Sequence, residues 1–239
     1  MKKIILFLFS LLLFNCCTFN VCGIMCGKIS DYSYEDGNCK VIVANRDASK
    51  QIALTFDDGP CREYTGEILE ILREYNAKAT FFMIGKNAKE NPDIVLDVYR
   101  DGHEIGNHTY SHPEMRKLSV EKFGEEIEKT QQVIKDITGK QPVLFRPPGG
   151  YLSNGIVDKI SSNGLRTVLW SWRQDTRDWE KPNSETIVRK VMSNLKDGDI
   201  ILFHDYVTSG SPTPDALRKL LPMLSESGYE FVTVSELAK

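Results

Sequence analysis

Gln51-Ile52-Ala53-Leu54-Thr55-Phe56-Asp57-Asp58-Gly59-Pro60 reads as a short strand that runs straight into two carboxylates and a turn. Its apolar residues are nearly continuous, the pattern of a strand covered on both faces in a parallel sheet. Gly59-Pro60 supplies the turn chemistry that ends it. Adjacent side chains on an extended strand point to opposite faces, so Asp57 and Asp58 can serve one cavity only if the backbone turns at once. Taken alone, such a tetrapeptide is more often an acidic turn than a catalytic one.

Working outward, similar short runs rich in Ile, Val, Leu and Phe recur at 79–84, 103–105, 144–145, 167–170, 199–203 and 229–234. Amphipathic stretches separate them. The clearest, 119–138, places Val120, Phe123, Ile127, Ile134 and Ile137 on one face, with Ser119 as N-cap and Gly139 as the C′ residue. Residues 64–75 (Ile68, Leu69, Leu72 and Tyr75 inward) and 214–227 (Leu217, Leu220, Leu221 and Leu224 inward) behave alike. Strands alternating with helices specify an α/β protein, either a β/α barrel or an open doubly wound sheet. Both place ligands at the C-terminal ends of their strands.

The 239 residues suffice for one barrel-sized domain, or at most two small ones. A net charge of −3, with Lys and Arg scattered among acids, argues against a nucleic-acid partner. Met1-Lys2-Lys3 followed by Ile4 to Phe14 has the basic and apolar regions of a secretory signal. Apolar character continues to about Cys26, so a retained membrane anchor competes with cleavage. A lipid-modified cysteine at Cys16 or Cys17 is a weaker alternative, because Phe14-Asn15 lacks the small residues such processing favours. Outside the cell a Cys39–Cys61 disulfide is permitted, and two free thiols are equally so. Residues 27–49 read as a linker ending in an edge element at 41–44.

The chemistry-bearing residues fall at the expected strand ends. His108 and His112 form an H-x3-H pair after the third strand, spanning a tight loop or the last turn of a short helix because Pro113 disfavours an α conformation at His112. One Asp and two His can hold a zinc-like ion and leave a position open for water, while the remaining Asp acts as a base. His103, packed behind them in sequence, reads as structural. His204 closes the run Ile200 to Phe203 and suits a general acid, with Asp175, Asp178 and Asp205 available to orient its ring. In Arg146-Pro147-Pro148-Gly149-Gly150 the Gly149 amide can face an oxyanion and Arg146 can hold an aspartate by a bidentate contact.

In order, T-F-D-D-G-P, H-T-Y-S-H, R-P-P-G-G, D-T-R-D-W and I-L-F-H-D resemble the motifs of the polysaccharide deacetylase family, carbohydrate esterase family 4. The resemblance spans about residues 50 to 236 and implies a distorted (β/α)7 barrel that removes acetyl groups from N-acetylated sugars with a divalent metal, usually zinc, with cobalt or another ion as alternatives. Carried over by position, it makes Asp57 the base, Asp58, His108 and His112 the metal ligands, and Arg146 the residue orienting the base. Asp178 partners the acid His204, Gly149 binds the oxyanion, and Trp179 and Leu202 line the acetyl pocket. Many members carry a larger residue where Gly149 stands, which points to a more open groove here.

Together these readings divide the chain into a signal or anchor over 1–26, the linker over 27–49 and a deacetylase domain over 50–239. The expected substrate is an acetylated polysaccharide, foremost the N-acetylglucosamine of peptidoglycan, met outside the cell or at the wall by a monomer. Chitin-type oligomers, an exopolysaccharide or acetyl-xylan are alternatives. A catalytically weak carbohydrate-binding protein is the alternative from a different class.

Overall fold

The computed structural model describes residues 41–208 and 210–239. The expected signal or anchor and Cys39, with any Cys39–Cys61 bridge, lie outside the described residues. The elements follow in chain order as β1 (Val41–Ile42), β2 (Gln51–Asp57), α1 (Tyr64–Glu74), β3 (Ala79–Met83), α2 (Gly85–Glu90), α3 (Pro92–Arg100) and β4 (Glu104–Asn107). Then come α4 (Val120–Thr138), β5 (Leu144–Phe145), α5 (Asn154–Ser162), β6 (Arg166–Val168), α6 (Ser184–Asn194), β7 (Ile200–His204), α7 (Thr213–Glu226), β8 (Glu230–Phe231) and α8 (Val234–Leu237).

The sheet order is β1-β6-β5-β4-β3-β2-β7, with neighbouring strands parallel and β8 pairing the start of β2. The two edges approach each other irregularly. Ala44 bridges Asp199, Asn45 N–H donates to Gly198 O at 3.0 Å, and Ser171 links Val43 O to Ile200. The result is the distorted β/α barrel that the family resemblance implied, where the strand and helix pattern leaves an open doubly wound sheet as the alternative.

Strand alternation divides the core in two. Ala53, Phe82, Leu144, Val168 and Ile200 pack inside with Val234 and Leu237 of α8. Their strand neighbours Leu54, Phe56, Phe81, Ile201 and Phe203 face outward against helices α1 and α7. Phe56 stacks on Phe81 at 4.9 Å and on Phe203 at 5.7 Å between ring centres. The inward series of β2 continues to Thr55 and Asp57, and that of β7 to Leu202 and His204. The same alternation that fills the interior therefore carries polar side chains to its mouth.

Helix α4 begins and ends where expected. Ser119 Oγ accepts the Lys122 N–H, and Gly139 adopts φ 76°, a left-handed stop that favours glycine. Val120 departs from expectation: it is 41% exposed, because a residue at the first turn precedes the part of the helix that packs. The strand expected at 167–170 ends at Val168, since Leu169 O turns inward to accept from Arg146. The run expected as a strand over 229–234 is strand only at Glu230–Phe231. Thr233 and Glu236 there form a reciprocal capping box that starts α8.

Candidate active site

Register sets the site's frame. Asp57 is the last residue of β2 and pairs across the sheet with His204, the last residue of β7. Asn107 ends β4 and pairs with Phe145, which ends β5, so His108 and Arg146 follow at the same level. Neighbouring strands lie about 4.8 Å apart, which brings these four side chains into one polar mouth.

Immediately after Asp57 the chain turns. Asp58 has φ 76°, and a cis peptide bond joins Gly59 to Pro60. The turn is what lets consecutive aspartates face the same cavity. Asp205, weighed from sequence as a partner for His204, instead accepts the Gly59 N–H at 2.9 Å and the Thr65 hydroxyl at 2.7 Å. A Cβ on Gly59 would come within 2.1 Å of Asp205 Oδ2, so only glycine permits this approach. Burial, with Asp58 nearby, pushes the Asp205 carboxyl up to about 7 against the opposing pull of its hydrogen bonds.

The histidine pair occupies a tight loop rather than a helical turn. Thr109 has φ 66° and His112 φ 52°, conformations that cost a residue other than glycine about 1–2 kcal/mol each. His108 Nδ1 lies 2.6 Å from Arg146 O. A carbonyl oxygen can only accept, so Nδ1 carries hydrogen and the neutral ring presents its Nε2 lone pair to the cavity. Burial disfavours the His108 imidazolium, but the Asp57 and Asp58 carboxylates favour it and raise its pKa. The His112 pKa is lowered by burial and by His108.

Asp58, His108 and His112 form a cluster fit to hold a cation. Asp58 Oδ1 lies 3.4 Å from Nε2 of each histidine, yet it is buried without a hydrogen-bond partner. A tetrahedral ion with bonds of about 2.0–2.1 Å separates its ligand atoms by about 3.3–3.4 Å. The two Asp58–histidine distances and the orphaned oxygen match that requirement. Burial alone would raise the Asp58 carboxyl; the imidazoles of His108, His112 and His204 outweigh it and hold the group at about 2.

Asp57 stands beside this cluster, its Oδ2 3.9 Å from His108 Nε2. Its Oδ1 accepts from one Arg146 terminal nitrogen at 2.7 Å. The contact is single rather than bidentate. That nitrogen also donates to Thr55 Oγ1 at 2.8 Å, while the other terminal nitrogen donates to Leu169 O at 2.9 Å. The Arg146 side chain is fully buried, with its guanidinium 4.1 Å above the Phe82 ring centre. Thr55 and Phe82 had no signature in the sequence beyond their places on buried strands.

Of the three aspartates available to His204, tertiary structure selects Asp178. His204 Nδ1 lies 2.7 Å from Asp178 Oδ1, and the His204 backbone N–H donates to Oδ2 at 2.7 Å. The Thr213 hydroxyl and the Trp179 N–H complete the carboxylate's partners at 2.6 and 3.0 Å. Asp175 turns away to accept the Arg177 N–H at 3.0 Å. Burial lowers the His204 pKa, but the Asp178 hydrogen bond and charge, reinforced by Asp57 and Asp58, lift it to about 9. At neutral pH the ring is therefore an imidazolium.

The remaining sequence candidates surround this core. Leu202 is buried on the same strand face as His204, and Trp179 is half exposed beside Asp178 with Arg177 stacked 5.6 Å from its ring centre. Gly149, at φ 61°, is exposed in the loop after Arg146, and a Cβ there would meet nothing within 4 Å. That space accords with an open groove. His103 accepts the Ala79 N–H through Nδ1 at 3.2 Å and stays outside the site, as expected.

Known proteins share this arrangement of sequence and fold. The family model described as polysaccharide deacetylase matches residues 44–168. A peptidoglycan-N-acetylglucosamine deacetylase of Bacillus cereus is 48% identical over 190 residues, covering 80% of this chain and 89% of its own. Among solved structures, the Bc1960 peptidoglycan N-acetylglucosamine deacetylase superposes with a TM-score of 0.78 at 35% identity, covering 83% of this chain and 92% of that one. BA3943, a CE4 family pseudoenzyme from Bacillus anthracis, superposes with a TM-score of 0.77 at 31% identity, covering 83% of this chain and 69% of its own. Motif order, barrel architecture and extended identity agree, and the chain belongs to the polysaccharide deacetylase family.

Proposed function

We propose that the protein hydrolyses N-acetyl groups on a cell-wall polysaccharide, foremost the N-acetylglucosamine of peptidoglycan. The observation that carries this reading is the convergence at one strand-end level of a buried carboxylate, a three-ligand cluster and an imidazole held by Asp178. The substrate assignment draws on the peptidoglycan deacetylases among the relatives. The basic and apolar N-terminus supports export to where such a polymer lies.

Asp58, His108 and His112 would hold a divalent cation, zinc foremost, which when bound would supply Lewis-acid polarisation and acidify water. Asp57, fixed by Arg146, takes a proton from the attacking water. The Gly149 N–H donates to the oxygen on which negative charge develops. His204, kept protonated and oriented by Asp178, delivers its proton to the departing amine nitrogen. Water thus adds across the amide to release acetate and a free amino sugar. Leu202 and Trp179 shield the acetyl methyl.

Replacing Asp57 by Asn separates the roles of the neighbouring aspartates. Cobalt binding should survive, while acetate release should fall by about 10²- to 10⁴-fold. Substantial activity in that variant would refute the base assignment. A carbohydrate-binding reading predicts instead that the wild-type protein retains glycan at saturating zinc or cobalt and frees no acetate. Mass mapping of purified peptidoglycan after incubation identifies the sugar that loses its acetyl group.

A further inference from the structure

We propose that Glu126, on α4, is a positioning residue that sets the affinity of the Asp58–His108–His112 cluster for a divalent cation. It does so by holding the turn between the two histidines in its ligating shape. This rests on the reading of that cluster as a cation site.

A single oxygen of Glu126 gathers the turn. Its Oε2 accepts the Tyr110 N–H at 3.0 Å, the Ser111 N–H at 2.7 Å and the Ser111 hydroxyl at 3.0 Å. These donors lie between His108 and His112, and the positive-φ residues Thr109 and His112 lie on either side of them. Charge-assisted bonds to backbone N–H groups are the strong kind, and they oppose relaxation of the turn toward commoner backbone angles. Helix α4 is a rigid support for this contact. It is 19 residues long, and Phe123, Gly124 and Ile127 around Glu126 are buried.

The same helix grips the other side of His108. Asn107 Nδ2 donates to Ile127 O and to Gln131 Oε1, each at 3.0 Å, while Asn107 Oδ1 accepts the Thr109 N–H at 2.9 Å. From the opposite direction α2 holds the turn's carbonyls, with Gly85 N–H on Thr109 O and Lys86 N–H on Tyr110 O, each at 2.9 Å. The turn is thus pinned through its carbonyls by backbone that no substitution removes. Its amides at 110 and 111 depend on one side chain. Losing Glu126 frees the segment that places His112 Nε2 within 3.4 Å of Asp58 Oδ1.

The test is titration of the metal-free protein with cobalt(II), read by the visible absorption of the bound ion and by competition with a chelator. Glu126→Ala should weaken cobalt binding by about 10- to 100-fold. Glu126→Gln, which keeps an oxygen acceptor without the charge, should show a smaller loss. Glu128→Ala, on the exposed side of α4, should bind as the wild type does. Acetate release by Glu126→Ala should recover at saturating cobalt, a rescue that a general loss of folding would not give. Wild-type cobalt affinity in Glu126→Ala overturns the proposal while leaving the cluster's assignment intact. Should that variant not fold, wild-type affinity in Glu126→Gln overturns it instead. If His112→Ala also binds cobalt as the wild type does, the cluster is not the cation site, and both readings fall.

Discussion

Replacing Asp178 by Asn should leave the fold in place and strip His204 of most of its hold on a proton. In the wild type the ring titrates at about 9 instead of 6.5, a difference worth about 3 kcal/mol in favour of the imidazolium. Burial works against that charge, and the Asp178 hydrogen bond and charge are the leading contributions that overcome it. Asn keeps the shape and an acceptor for Nδ1–H but not the charge, so the pKa should fall toward 6.5. Imidazole NMR of the cation-free protein reads the value directly. If His204 is the acid, as proposed, it must be protonated in the loaded enzyme, so the alkaline limb of kcat/KM should move to lower pH, with a loss of about 10²-fold or more. The linked stability has a definite sign. A raised pKa stabilises the fold fully below 6.5, and that contribution disappears as pH rises through 9. A wild-type His204 titrating near 6.5, or an Asn variant still titrating near 9, would show that Asp178 does not hold the proton on the ring.

Arg146→Met should destabilise the protein by about 3–5 kcal/mol, because it leaves Asp57 buried without its cation. Urea unfolding measures it, and adding Asp57→Asn to that variant should restore part of the loss; strict additivity would show the pair is not coupled. His103 predicts an acid-side weakness. Burial, aided by Lys78 and Arg73 against Asp101, depresses its pKa from 6.5 to about 4, so the unfolded chain binds more protons between those values. About 3 kcal/mol of stability should drain away as pH falls across that window. In cation-free His103→Asn, which keeps an acceptor for the Ala79 amide, the corresponding slope should vanish; an unchanged slope would place the acid lability elsewhere.

Local patterning along the chain is enough for the alternation of buried strands with amphipathic helices, and with it the end of the sheet where chemistry gathers. Those are local properties: a run such as Gln51 to Asp57 carries its own burial pattern, and Ser119 and Gly139 mark helix ends through their own backbone preferences. The H-x3-H spacing and paired aspartates also point to a cluster able to hold a cation, because ligand type and short-range spacing are written in order along the chain. Helix α8 is missed, because the apolar run at 229–234 reads as strand and the Thr233–Glu236 capping box that starts the helix comes only with the structure.

Tertiary structure decided what depends on contacts between distant segments. Asp175, Asp178 and Asp205 are equivalent in composition, and among sequence arguments only the motif resemblance singles out Asp178. Folding delivers Asp178 to His204 and sends Asp205 across to Gly59. Arg146 makes one bond to Asp57 rather than two because Thr55 and Leu169, from other strands, compete for its donors. Glu126 and Asn107 hold the histidine turn from elements that are neighbours only after α4 docks. The residue types of the site are a property of the sequence. Their partners follow from hydrogen-bond geometry, which exists only when the strand ends are brought level.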